Sequence, residues 1–265
     1  MKLSGSNSGL VLGGTAVAAA LLAACLPRIS QDPSYHLFAD ARTVLGVPGG
    51  LNVLSNVAFA LVALAGLRLL VRGGAVIRER GERRAWLVFF VGVGLTSLGS
   101  TWYHLSPSNE TLVWDRLPMA VAFLALLAAT IAERLDPELG ARLLGPMVLA
   151  GIGGVLYWAA TERAGAGDLR PYVLAQFFPL IAIPLLLVLC RPRYSRGALY
   201  LVVLGLYVLG KVTELADGTI LRATGWVSGH TLKHLFAAAA VGVLVAMLAR
   251  RREVTDPAAT LLSAS

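Results

Sequence analysis

Eight stretches of this chain are apolar on every side, and each is near the length that one membrane crossing needs. They run over Leu10–Leu26, Leu51–Val71, Ala85–His104, Leu117–Ala132, Ala141–Ala160, Tyr172–Cys190, Gly197–Leu215 and Gly229–Ala249. About twenty apolar residues span a bilayer as a helix. Strands of a membrane barrel alternate apolar and polar residues, which these stretches do not do. Composition agrees: 57% of residues are hydrophobic and 14% charged, against roughly 25% charged in a soluble domain. Mean hydropathy is +0.72. The expected fold is an all-α, polytopic transmembrane bundle.

The net charge of +8 does not indicate a nucleic-acid partner, because the charges lie between the apolar runs rather than on one polar face. Their distribution sets an orientation instead. Arg72, Arg78, Arg80, Arg83 and Arg84 fall in one connection, Arg191, Arg193 and Arg196 in another, and Arg250, Arg251 and Arg252 after the last run. Alternate connections hold Arg116 or Arg222 alone. Eight spans with both termini in the cytoplasm satisfy this bias, in what the Arg-rich, Ala- and Gly-rich composition suggests is a bacterial inner membrane. Span one has an alternative reading. Lys2 ahead of an apolar run resembles a signal segment, and Leu22-Ala23-Ala24-Cys25 a lipoprotein cleavage box. The chain divides into residues 1–50 (first helix and outer loop), 51–249 (seven-helix core) and 250–265 (a polar, disordered cytoplasmic tail). Cys25 and Cys190 are too few for a disulfide framework.

Ionisable residues within membrane spans are costly and mark function. Of four histidines, His104 ends a span running outward, while His230 and His234 open the span that starts from outside. Asp115 also stands at an outer span start, and Ser100 lies four residues before His104. All five therefore fall near the outer face. Spacing i, i+4 puts Ser100 with His104, and His230 with His234, on shared helix faces. Three imidazoles with an open fourth position form the ligand set of a catalytic zinc site, and a carboxylate beside it is suited to take a proton from water. Each residue also has a plainer explanation. A single span-end histidine more often serves as an interfacial hydrogen-bonding group. Asp115 ahead of Leu117-Pro118 fits a helix N-cap, and Ser100, after Gly92, Gly94 and Gly99, a small packing residue. Lys211 and Glu214, at i and i+3, read as a simple ion pair, Asp217-Gly218 as a helix end, and Asn52, Ser55 and Asn56 as capping or packing residues. The coincidence of five such residues on one side favours the metal site.

Gly99-Ser100-Thr101-Trp102-Tyr103-His104, Asp115-Arg116-Leu117-Pro118-Met119 and His230-Thr231-Leu232-Lys233-His234 resemble the three motifs of the alkaline ceramidases. That family belongs to a seven-helix membrane hydrolase superfamily that includes the progestin and adipoQ receptors. Asn52-Val53-Leu54-Ser55-Asn56 is similar to the start of its first core helix, so the resemblance covers Asn52 to Phe236 and makes span one an extra N-terminal helix. It implies zinc held by His104, His230 and His234, Asp115 as general base on the attacking water, and Ser100 assisting. The implied reaction cleaves the amide of a ceramide-like membrane lipid to a long-chain base and a fatty acid. A pocket open to lipid among the helices would admit two acyl chains. Three departures stand out. Phe38 to Gly50 offers Asp40 alone as an acid, so calcium is not expected. The final histidine pair lacks aromatic residues between its members. Arg116 stands where those ceramidases tend to carry an acid.

Other readings remain open. A receptor of the same fold would hold zinc structurally. A transporter or proton relay would use Lys211, Glu214, Asp217 and Lys233. A haem protein would use the histidines as axial ligands. The chain has no His-Glu-x-x-His motif, no Gly-x-Ser-x-Gly elbow and no phosphate-binding glycine loop.

Overall fold

A computed structural model describes residues 5–254. Its elements are α1 (Gly5–Cys25), α2 (Gly50–Leu54), α3 (Val57–Val71), α4 (Arg80–Leu105), α5 (Asn109–Arg134), α6 (Pro137–Arg163), α7 (Arg170–Leu189), α8 (Leu199–Leu215), α9 (Asp217–Thr224) and α10 (Gly229–Arg250), with a short 3-10 helix at Pro33–His36. No β-strand is present among the described residues. Seven of these segments, with α2 and α3 taken together, are long and apolar enough to cross a membrane. An eighth results if α8 and α9, bent by 80° at Ala216, count as one span. This is the expected polytopic bundle.

The span boundaries move for local reasons. Span two breaks at Ser55-Asn56 into α2 and α3. Span three begins at Arg80, so Arg80, Arg83 and Arg84 lie in its first turns rather than in a loop. Span four begins two turns early because Ser108 caps α5. Its hydroxyl accepts from Thr111 N–H while Thr111 returns a bond to the Ser108 N–H, a reciprocal cap. Asp115 is therefore inside the helix and is not its N-cap.

Helix α5 is the centre of the bundle, packed against α4, α6 and α7. Helices α8 and α10 pair closely, whereas α7 and α8 barely touch. Two glycines permit the closest approaches. A Cβ at Gly99 would fall on the Trp114 carbonyl, and one at Gly229 on the Thr213 carbonyl. Helix α1 lies on the periphery against α7. The Arg170 guanidinium ties down its C-terminus by donating to Ala23 O, Ala24 O and Leu26 O (3.2, 3.1 and 2.5 Å), supplying the missing partners of a helix end.

Residues 26–49, which the sequence placed in a loop before the core, form a strap across the histidine end of the bundle. Leu169 N–H donates to Ile29 O, Gln31 N–H to Glu162, and Ala39 N–H to Asp217. The opposite end is closed by charge. Arg251 donates to Glu82 (2.5 Å), to Glu133 (2.9 Å) and to Val76 O (2.7 Å), and stacks on Tyr194 at 3.8 Å. Tyr194 and Tyr200 donate to Glu82 and Glu133 in turn. Arg251 is 1% exposed, Glu82 0% and Glu133 2%. Of the expected disordered tail, Arg250 ends α10, Arg251 is buried, and residues 252–254 are exposed but hydrogen-bonded to the loop at 193–195; the rest of that tail lies outside the described residues.

Removing one member of a buried charge cluster leaves the others uncompensated. Arg251→Ala is expected to cost about 3–5 kcal/mol, read as a lowered unfolding midpoint in detergent; a loss within experimental error would show the cluster to be dispensable. The Arg170 guanidinium also holds Asp168 down to a pKa of about 2. A carboxylate depressed in the folded state stabilises above its unfolded pKa of about 4 and loses that contribution as pH falls through the folded value. Asp168→Asn should therefore lower the midpoint at pH 7, with the difference from wild type closing between pH 4 and pH 2.

Candidate metal centre

His104 sits in the last turn of α4, and His230 and His234 in the first two turns of α10. All three are buried, and one ring nitrogen from each lies within 4.8 Å of the others. The rings form a near-equilateral triangle, with centroids 4.8, 4.9 and 4.9 Å apart. His104 Nε2 and His230 Nε2 face each other at 3.2 Å. Two neutral imidazole lone pairs repel at that distance unless a proton or a cation lies between them. Tetrahedral ligands at 2.0–2.1 Å from a zinc ion stand about 3.3 Å apart, so the spacing suits a metal ion. The three histidines can hold one.

The neighbouring chain orients this triad. Ser55 Oγ lies 2.8 Å from His234 Nδ1 and donates to Asn52 O at 2.9 Å. With its proton so used, Ser55 accepts from Nδ1–H, which leaves the His234 lone pair on Nε2. Second partners of this kind fix ligand tautomers. Asn52 Oδ1 accepts from Ser228 and from Thr231 (3.2 and 2.8 Å), pinning the start of α10 to α2. The Asp217 carboxylate accepts from His230 N–H at 2.7 Å and from Ala39 N–H at 3.0 Å. It joins the ligand helix to the strap. From the strap, the Phe38 ring covers His104 and His230, with centroids 4.6 Å from each. His36, the fourth histidine, is outside the triad and bonds Tyr103 and Asn109 at 3.0 Å each.

Ser100 and Asp115 stand close to each other where α4 meets α5. Both line a cavity of about 340 Å³ that also reaches His234. The cavity descends between α5, α7, α8 and α10 to Tyr200 and Leu244. Ten residues of α10 separate His234 from Leu244, a depth of about 15 Å. Apolar side chains form most of the wall. Its polar end adds Arg116, Lys211, Glu214 and Lys233. Glu214 pairs with both Lys211 and Lys233, the second at 2.8 Å. Gln176 donates to the Tyr207 hydroxyl at 3.1 Å across the seam between α7 and α8.

The five residues singled out from the sequence therefore gather at one end of the bundle: three in the triad and two on the adjoining cavity wall. Sequence reasoning passed over the strap residues Tyr35 and Phe38 and treated Ser55, Asn52 and Asp217 as caps or packing. Asp217, a carboxylate four residues after a buried threonine and ahead of the ligand helix, carried a usable signal; Phe38 carried none. No protein-family profile matches the chain, and no curated protein matches it.

Loss of a group that orients a metal ligand weakens binding about 10–100-fold. Ser55→Ala is expected to do so, measured by competition with a chelator of known affinity. Unchanged affinity would show that the Ser55–His234 contact plays no part in the metal centre.

Proposed function

We propose that this protein is a zinc-dependent integral membrane hydrolase of ceramidase type, cleaving the amide bond of ceramide-like lipids to a long-chain base and a fatty acid. The observation that carries this reading is the junction of a buried three-histidine triad with a lipid-sized cavity whose wall, beside the triad, bears Ser100 and Asp115. Three nitrogen ligands with room for a fourth favour zinc among common ions. A zinc ion there supplies Lewis acidity, polarising the amide carbonyl and lowering the pKa of water.

The chain's own residues supply the remainder. Asp115 accepts a proton from the attacking water and returns it to the leaving nitrogen, so that a C–O bond replaces the C–N bond and both products leave neutral in total charge. Ser100, beside Asp115 on the cavity wall, is placed to orient its carboxylate. Phe38 and Tyr35 exclude bulk water at the strap. The acyl chain lies in the cavity below, whose depth of about 15 Å equals one leaflet of a hydrocarbon core about 30 Å thick. A volume of about 340 Å³ is near the lower limit of ligand pockets. The cavity therefore takes one chain and leaves the second in the bilayer, in place of the two expected. Lipid enters at the loosely packed seam between α7 and α8. Arginines gathered at the end opposite the triad support cytoplasmic termini and an outward-facing site. Glu214 bridges Lys211 and Lys233 near the triad, away from the bilayer middle where transporter sites lie.

The test begins with metal content of the detergent-purified protein. About one zinc per chain is expected in wild type, with loss in His104→Ala and His230→Ala. Asp115→Asn should retain zinc and lower kcat for a long-chain N-acyl amide by about 10²–10⁴-fold. Zinc without turnover of any lipid amide would indicate a receptor of this architecture; absence of stoichiometric metal in wild type would overturn the hydrolase.

A further inference from the structure

Arg116, a departure from the ceramidase pattern, lines the cavity, and its surroundings are unusual for a buried cation. It is 6% exposed. The guanidinium carbon lies 4.4 Å from the Trp158 ring centroid, 4.8 Å from that of Tyr172 and 5.5 Å from that of Tyr35. Nη2 donates to Gln31 Oε1 at 2.6 Å, a neutral acceptor, and Nη1 has no hydrogen-bond partner. No carboxylate forms an ion pair with it among the described residues. Glu162, the acid of α6 that holds the strap, accepts from Gln31 N–H and Trp158 Nε1 and forms no ion pair with Arg116. Aromatic faces hold a cation in place but satisfy neither its charge nor its in-plane donors.

The balance of the cavity points the same way. Its wall carries three cations, Arg116, Lys211 and Lys233, against two carboxylates, Asp115 and Glu214. Glu214 is shared by the two lysines, so that trio keeps one positive charge; Asp115, the other acid on the wall, forms no ion pair with Arg116, and the wall as a whole carries one net positive charge. Interactions between charges strengthen in a water-poor cavity. An unpaired buried cation costs several kcal/mol until an anion reaches it. An arginine with free in-plane donors is suited to a planar carboxylate or a phosphate.

We propose that Arg116 is the anchor of a headgroup site, and that the substrate is an N-acyl lipid whose amine portion carries an anionic group, a carboxylate or a phosphate. This rests on the amidase reading and narrows it. The acyl chain runs down toward Tyr200, the amide sits beside Asp115, and the anionic head turns toward Arg116 under the strap, one residue along α5 from the proton acceptor. The lysine–glutamate trio on the facing wall adds long-range attraction. A neutral head would leave Arg116 unpaired.

The experiment compares three substrates of one acyl length on the full-length, detergent-purified protein: N-palmitoylglycine, N-palmitoyl-O-phosphoethanolamine and the neutral N-palmitoylethanolamine. At least one anionic amide is expected to show a KM roughly ten- to a hundredfold below the neutral one, and which of the two identifies carboxylate or phosphate. In Arg116→Gln the ratio should fall toward one. Equal KM values in wild type, or a preference kept in the variant, would overturn the headgroup site. A second readout does not depend on turnover. Hexadecyl phosphate should raise the unfolding midpoint of wild type more than hexadecanol does, and the excess should vanish in Arg116→Gln. That result with no amide cleaved would uphold the anion site while the amidase reading fails. No excess in wild type overturns the site. Palmitate inhibiting as strongly as N-palmitoylglycine binds would assign Arg116 to the acyl product and overturn the headgroup reading.

Discussion

An unpaired charge inside an apolar bundle is the most expensive thing this chain contains, and the treatment of buried charge differs between its two ends. Opposite the triad, Glu82 and Glu133 are balanced by Arg251 and Arg134, and two tyrosine hydroxyls take up remaining carboxylate lone pairs. That end joins α4, α5 and α10 with residues far apart in sequence and closes the bundle. The triad end is built otherwise. Its charges are partly paired, its imidazoles face one another, and a cavity adjoins them. Stability at one end permits incomplete satisfaction at the other, a common division between scaffold and site.

The geometry of the triad end depends on how near the helix backbones come. His104 and the His230–His234 pair lie on helices that are not sequence neighbours. Gly99 lets α4 approach α5 at Trp114, which sets Ser100 against Asp115. Gly229 lets α10 approach α8 at Thr213. Small residues serve such contacts in membranes, where apolar side chains gain little by leaving lipid for protein. Each glycine immediately precedes a residue of the proposed site. Position in the helix and closeness of packing are therefore set by the same short motif.

Much of this was legible in the sequence, and for a simple reason. Apolar runs of membrane length declare helices, basic connections declare sides, and i, i+4 spacing declares a shared face. Those three facts carried His104, His230 and His234 to one place. Capping was less legible: the start of α5 at Asn109 rests on Ser108 and Thr111, two turns ahead of the apolar run, so Asp115 was open to reading as a cap. The strap was illegible because residues 26–49 have no periodicity and bond to partners such as Glu162 and Asp217 more than a hundred positions away. Arg251 looked like a tail residue for the same reason; its carboxylate partners are 118 and 169 positions distant.

Asp217 shows how the strap and the ligand helix behave as one unit. Its two oxygens accept from different segments, one from the strap at Ala39 and one from the first turn of α10 at His230. A helix N-terminus leaves its first N–H groups unpaired, and a carboxylate there also meets the positive end of the helix dipole. The same contact sets Phe38, one residue before Ala39, over the His104 and His230 rings. Any displacement of α9 must therefore shift a ligand residue and its cover together. The 80° bend between α8 and α9 is what brings Asp217 to that position, so the break in span seven, which from sequence alone looks like a simple helix end, is part of how the metal centre is held.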